Sequence, residues 1–219
     1  MERQETGRAE YDYIGLLMKR YPELLVIEES LRKAYRILEE CYTRGGKVLA
    51  GGNGGSAADC EHFVGELMKG FVKKREVPEQ FASALRQMDV ERGARLAEGL
   101  QGALPAIAVC GHEALTSACG NDVDWSMAMA QQVYGFGNEG DVLLAVTTSG
   151  NSENLLYAAD VARAKGMKVI GLTGKTGGRL AQISDAAVIV PKEETYQIQE
   201  LHLPIYHAFC LQLEEHFFS

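Results

Sequence analysis

His62 and Glu66 stand four residues apart in a stretch of helical pattern, which sets an imidazole and a carboxylate on one face. Near the other end of the chain Gln199 and His207 are eight apart, about two helical turns, and also share a face. His202 lies between them, three residues after Gln199, and competes with His207 for any role given to it. Two chemistries suit such a set. Two imidazoles with a carboxylate and an amide can hold a divalent metal such as zinc; the same groups can work as a general acid and base. The plainer fate of a helical His-x-x-x-Glu pair is a surface hydrogen bond or ion pair. His112 and His216 show no partners in the sequence and read as structural or solvated.

Two loops have the composition to hold an anion. The run Gly51-Gly52-Asn53-Gly54-Gly55-Ser56 follows a short apolar stretch and leads into the helical pattern that carries His62. It has neither the G-x-G-x-x-G spacing with an acidic ribose partner nor the lysine of a Walker loop, which argues against a dinucleotide or a nucleoside triphosphate. The second loop, Thr147-Thr148-Ser149-Gly150-Asn151-Ser152, offers four hydroxyls within six residues. Hydroxyls and amides without a lysine suit a phosphomonoester on a small sugar, held by hydrogen bonds and a helix end. Either loop taken alone could equally serve as a helix cap.

The elements that must position these groups follow a regular grammar. Apolar runs at 47–51, 105–110, 141–146, 168–172 and 186–190 read as strands, most of them leading through Gly/Ser/Thr turns into helical patterns. Strands alternating with helices predict a five-stranded parallel sheet covered on both faces, with ligands outside the carboxyl ends of the strands. Helices are predicted ahead of the first strand, within residues 1–45 and interrupted by Pro22, and over Tyr196–Phe218, which contains Pro204. Residues 71–104 are charged, carry helical patches and show no strand, and they read as a helical insertion in a single domain spanning 1–219.

Composition narrows the partners. With 46% hydrophobic and 24% charged residues the chain can bury a core of its own. A formal net charge of −8 argues against a large nucleic-acid or anionic-membrane surface. Met1 to Glu10 is polar, and no apolar run reaches bilayer-spanning length, so a cytoplasmic protein is expected. Cys41, Cys60, Cys110, Cys119 and Cys210 are odd in number and widely spaced, which argues for reduced thiols over a disulfide framework or zinc ribbon. The apolar faces of the terminal helices exceed what one small sheet can cover, which predicts association between copies of the chain.

Together these motifs carry a resemblance. Gly52-Asn53-Gly54-Gly55-Ser56-Ala57-Ala58 with His62 and Glu66, then Thr148-Ser149-Gly150-Asn151-Ser152, Leu172-Thr173-Gly174-Lys175 and Ile198-Gln199-Glu200-Leu201-His202, resemble the phosphoheptose isomerase family of the sugar isomerase (SIS) domain superfamily. The resemblance implies a flavodoxin-like, three-layer αβα fold and a homotetramer with active sites at subunit boundaries. It also implies interconversion of sedoheptulose 7-phosphate and glycero-manno-heptose 7-phosphate, on the route to nucleotide-activated heptose. One zinc per subunit would be held by His62, Glu66, Gln199 and His207. The sugar phosphate would be touched by Asn53, Gly54, Gly55, Ser56, Glu66, Asn121, Asp122, Thr147, Thr148, Ser149, Ser152 and Gln199. Aldose–ketose isomerisation needs a base at carbon and an acid at oxygen, for which Glu66 and His207 are the candidates. The chain departs from the family pattern in the long 71–104 segment, in Thr147 where serine is common, and in Pro204. The alternatives are another ketose phosphate as substrate, or a non-catalytic SIS protein that binds a sugar phosphate or a replication initiator.

Overall fold

Short runs of β-branched and small apolar residues, bounded by Gly, Pro, Asn or Asp, form five parallel strands. They are β1 (Val48–Gly52), β2 (Ala106–Ala108), β3 (Val142–Val146), β4 (Lys168–Thr173) and β5 (Ala186–Ile189), in the order β2-β1-β3-β4-β5. The computed structural model describes residues 10–219; of the polar stretch Met1 to Glu10, all but Glu10 lies outside the described residues. Ahead of the sheet come α1 (Tyr13–Arg20), a 3-10 turn at Pro22–Ile27, where proline starts the turn, and α2 (Glu28–Thr43). After β1 follow α3 (Gly55–Met68), α4 (Glu79–Met88) and α5 (Val90–Gly99). Between β2 and β3 lie α6 (Glu113–Asp122) and α7 (Ala128–Phe136). The chain ends with α8 (Glu153–Ala164), α9 (Gly178–Ile183) and α10 (Thr195–Phe218).

Side-chain alternation along the strands builds two cores. Val48, Ala50, Val142, Leu144, Ile170 and Leu172 face one layer with α1, α2, α3 and α10. Leu49, Leu143, Ala145 and Val169 face the other with α7, α8 and α9. This is the three-layer arrangement expected from the sequence. The sheet order reverses between β1 and β3, so the loops leaving those two strands open on one crevice, the usual ligand position in such sheets.

One histidine belongs to the core. His202 is fully buried on α10, with Nε2 at 3.2 Å from the Thr173 carbonyl at the end of β4. Burial lowers its pKa to about 4 from an ordinary 6.5, against the opposing pull of that carbonyl.

The segment 71–104, for which the sequence predicts a helical insertion, carries α4 and α5 as a hairpin whose neck is a short antiparallel bridge. Glu76 pairs with Gln101, Gly102 N–H donates to the Arg75 carbonyl at 2.8 Å, and Gly70 N–H donates to Gln101 Oε1 at 2.8 Å. Beyond this neck α4 and α5 pack chiefly on each other.

Two outcomes follow. Replacing residues 77–100 by a short Gly/Asn turn leaves the sheet folded, with a thermal midpoint within about 5 °C of the parent; a molten or aggregated product would show that the hairpin supports the core. For His202, native and unfolded states are both neutral above pH 6.5. Between 6.5 and 4 the unfolded chain takes a proton the native state refuses, so stability falls with pH, by about 3 kcal/mol in all. In urea titrations His202→Gln therefore closes on wild type as pH drops from 7 to 4.5, and a gap independent of pH contradicts the assignment.

Candidate active site

α3 and α10 run side by side in the same direction, and the pairing can be followed residue by residue. The Gln199 amide lies over Gly55, so closely that a Cβ there would stand 2.6 Å from Nε2 and would make the Gln199 side chain move aside. Further along, the Tyr206 hydroxyl lies 3.0 Å from His62 Nδ1 and donates to Asp59 Oδ1 at 3.3 Å. Cys210 Sγ then approaches the Phe63 carbonyl at 4.0 Å. Gly55, Asp59, His62 and Glu66 repeat at helical spacing, so the face of α3 turned to α10 carries all four.

His62, Glu66 and His207 meet in this seam. His62 Nε2 is 3.3 Å from Glu66 Oε1, and the His62 and His207 rings stand edge to face with centroids 5.0 Å apart. Glu66 is 15% exposed at its side chain against 45% for His62, so the carboxylate lies deeper than the imidazole. Lys69 Nζ approaches Glu66 Oε2 at 3.5 Å, an ion-pair distance without a hydrogen bond. Glu66 Oε2 and His207 Nε2 are both buried with no hydrogen-bond partner, which is costly unless a ligand uses them. Burial, and then the charge of His62, push the His207 imidazole below the usual histidine range, against the pull of Glu66. Burial raises the Asp59 carboxyl above its usual range, opposed by the Tyr206 hydroxyl. Beside His207 a cavity opens between α1 and α10, lined by Tyr13, Arg20, Tyr21, Glu200 and Leu211 among others.

The two hydroxyl-bearing loops are joined to each other. Asn53 and Asn154 exchange amide hydrogen bonds, Nδ2 to Oδ1 at 3.0 and 2.8 Å, across the crevice between β1 and β3. The residues ahead of α3 and α8, Gly54 and Ser152, make no side-chain cap, while the Asn154 amide oxygen accepts the Leu155 N–H at 3.0 Å inside the first turn of α8. Thr147 and Ser152 hydroxyls are 3.3 Å apart, and Ser149 Oγ accepts from Asn151 N–H at 3.2 Å. Gly150, at φ +67°, presses on the turn after β4; a Cβ would stand 1.8 Å from the Gly177 carbonyl oxygen.

Not every predicted residue joins these groups. Asn121 and Asp122 are exposed at the end of α6 and bond to each other at 2.7 Å. His202, the competitor of His207, is in the core and outside the seam. His216 is 2.8 Å from Glu10 Oε1, a partner its position in sequence did not reveal. His112 takes a left-handed conformation ahead of α6, and its ring leans on Phe136. Asp59 and Tyr206 were missed by the sequence reading, although Asp59 stands three residues before His62 and Tyr206 directly before His207. Asn154 was missed as well, two residues past the last loop hydroxyl.

Comparison with known proteins places the chain. A family model described as SIS domain matches residues 83–174. Phosphoheptose isomerase from Methylibium petroleiphilum is 40% identical, with 84% of this chain and 81% of that protein covered. The enzyme of the same name from a Nitratiruptor strain is 39% identical, with 78% of each covered. Among solved structures, phosphoheptose isomerase from Neisseria gonorrhoeae superimposes with a TM-score of 0.71 at 30% identity, covering 92% of this chain and 95% of that one. Sequence and backbone agree over most of both chains, and on that agreement this protein belongs to the phosphoheptose isomerase family of SIS-domain enzymes.

Proposed function

We propose that this isomerase interconverts sedoheptulose 7-phosphate and D-glycero-D-manno-heptose 7-phosphate through an enediol, in heptose nucleotide biosynthesis. The observation that carries this reading is the His62, Glu66 and His207 seam lying along α3 from two hydroxyl-bearing helix starts. From Gly55 to His62 is about 10 Å at the helical rise per residue, comparable with an extended seven-carbon chain carrying a terminal phosphate.

In this reading the phosphate sits among Ser56, Thr147, Thr148, Ser149 and Ser152 and the N–H groups that open α3 and α8. Asn53, Gly54, Gly55 and Gln199 line the sugar between that end and the seam, and Asn121 and Asp122 complete the proposed contact set. Glu66 takes the proton from C1 of the ketose, and the C1–H bonding pair becomes the enediol double bond. It returns the proton to C2, while the hydroxyl proton on the C1 oxygen passes to the C2 oxygen. With its pKa lowered, His207 is neutral near pH 7 and relays protons between the two oxygens.

The donor set fits zinc. Two imidazoles and a carboxylate are zinc-type ligands, and Glu66 Oε2 and His207 Nε2, both without a hydrogen-bond partner, are the atoms such an ion would use. Among the described residues no three His, Cys, Asp or Glu side chains already converge on one point, so binding calls for side-chain rearrangement, most of all of Gln199, whose amide lies over Gly55. His62, Glu66, Gln199 and His207 would hold the ion, one per subunit, and it would supply Lewis-acid polarisation of the carbonyl.

A cytoplasmic homotetramer acting on a small sugar phosphate completes the proposal. Leu25 at 55% and Val26 at 78% exposed, with Trp125 and Tyr134 each at 63%, support burial between subunits. No described helix is long and apolar enough to cross a membrane.

Purified protein should convert sedoheptulose 7-phosphate, and Glu66→Gln should lower kcat by roughly 10²- to 10⁴-fold with the fold intact by circular dichroism. Full activity in Glu66→Gln would remove that residue as the base. Inert wild type that turns over another ketose phosphate would relocate the substrate and keep the chemistry. Elemental analysis after exhaustive chelation should show zinc lost together with activity; activity surviving in metal-free protein removes zinc from the proposal. Sedimentation should give four times the chain mass of 23.9 kDa.

A further inference from the structure

The only arginine that is fully buried among the described residues is not in the seam but directly behind it. Arg75, 1% exposed, pairs through Nε with Glu214 Oε1 at 2.7 Å, and neither side chain retains solvent exposure. The remaining guanidinium nitrogens reach the last turn of α3: Nη1 donates to the Leu67 carbonyl at 2.7 Å and Nη2 to the carbonyl of Glu66 itself at 3.1 Å. These are carbonyls that the end of a helix leaves without an internal partner. Glu214, seven residues after His207 on α10, accepts N–H bonds from Phe71, Val72 and Lys73 at 2.8, 2.9 and 3.1 Å. Burial disfavours the charged carboxylate, but the Phe71 and Val72 N–H groups and Arg75 outweigh it and hold its pKa below the usual range. The strap so pinned lays the Phe71 ring against His207, centroids 5.3 Å apart.

We propose that Arg75 and Glu214 are positioning residues, which set the placement of Glu66 and His207 across the seam through the Glu66 carbonyl on one side and the Phe71 ring on the other. The assignment rests on the proposed roles of Glu66 and His207. Neither Arg75 nor Glu214 touches the substrate. Their effect is on the geometry of the reacting groups, where displacement by about 1 Å can cost on the order of a hundredfold in rate.

The test replaces both charges together. Arg75→Met with Glu214→Gln removes both charges while the amide oxygen introduced at 214 still accepts from the Phe71, Val72 and Lys73 N–H groups, which keeps the strap supplied with an acceptor. The expected result is a cooperatively folded protein with a lowered thermal midpoint, since the Leu67 and Glu66 carbonyls lose their donor, kcat for sedoheptulose 7-phosphate lowered at least tenfold, and KM within about twofold, because the phosphate loops are untouched. In protein labelled with ¹⁵N-histidine, the imidazole signals of His62 and His207 should move while that of His112 stays. Arg75→Lys keeps a positive charge beside Glu214 but loses the fork to the two carbonyls, and should show a smaller change of the same kind. It decides the matter if the double variant does not fold. A folded variant with wild-type kcat and unmoved His62 and His207 signals would overturn the proposal. Should wild type not convert the heptulose phosphate, the reading of the substrate fails, and the imidazole signals still decide whether the pair positions the seam.

Discussion

Everything at the site depends on the burial of one stripe along α10. Ile198, Leu201, Ile205, Phe209 and Leu213 recur at helical spacing, and each is at most 4% exposed. Burying side chains of this kind contributes about 1.5–3 kcal/mol apiece, and a helix held at so many points has little freedom to slide or turn. With that stripe fixed against α3 and the sheet, the other faces of the helix are fixed too. Gln199 falls on the glycine loop, Tyr206 between Asp59 and His62, His207 beside His62, and Glu214 on the strap. Pro204 removes one helical N–H within this helix, yet the helix continues through it to Phe218.

The two edges of the sheet carry opposite kinds of polar group. At the amino ends, charges are paired and satisfied: Lys47 Nζ lies 2.5 Å from Asp141 Oδ2, and Asp141 also accepts from the Lys47 and Asn138 N–H groups. Lys168 and Asp185 repeat the arrangement at 2.7 Å. At the carboxyl ends of β1 and β3 the polar groups are hydroxyls, amides and N–H groups, neutral and adaptable. Such an edge suits a dianionic ligand that brings its own charge, and the ion pairs at the far edge stabilise the sheet without competing for that ligand.

Much of this was legible in sequence because it is local. Glycine and hydroxyl runs after apolar strands mark the loops, and His62 with Glu66 share a face wherever their helix packs. Residues between Cys110 and Asp141 were not read as helices: α6 buries none of its residues and so lacks a strong amphipathic signature. The choice between His202 and His207 was open for a different reason. Five residues apart on one helix, they point in different directions, and only the position of the sheet decides which meets a carbonyl and which meets His62. Arg75 and Glu214 were invisible in a charged segment and a charged C-terminal turn, since nothing local distinguishes a buried ion pair from two solvated charges. The role of the 71–104 segment was equally hidden, because its neck is made by partners that lie far apart in the chain, Gln101 with Gly70 and Arg75 with Glu214.

The close approach of Gly150 to the turn at Gly177 and Gly178 bears on how this protein can vary. Gly150 would drive a Cβ into the Gly177 carbonyl, and Gly178 would drive one to within 2.5 Å of the Ser149 carbonyl. The hydroxyl loop and the turn after β4 thus constrain each other as a lock constrains its key. A side chain added on either side demands a backbone shift on the other, so single substitutions in one are selected against unless the second changes in step. Across a lineage the two segments, nearly thirty residues apart, should drift as one heritable unit.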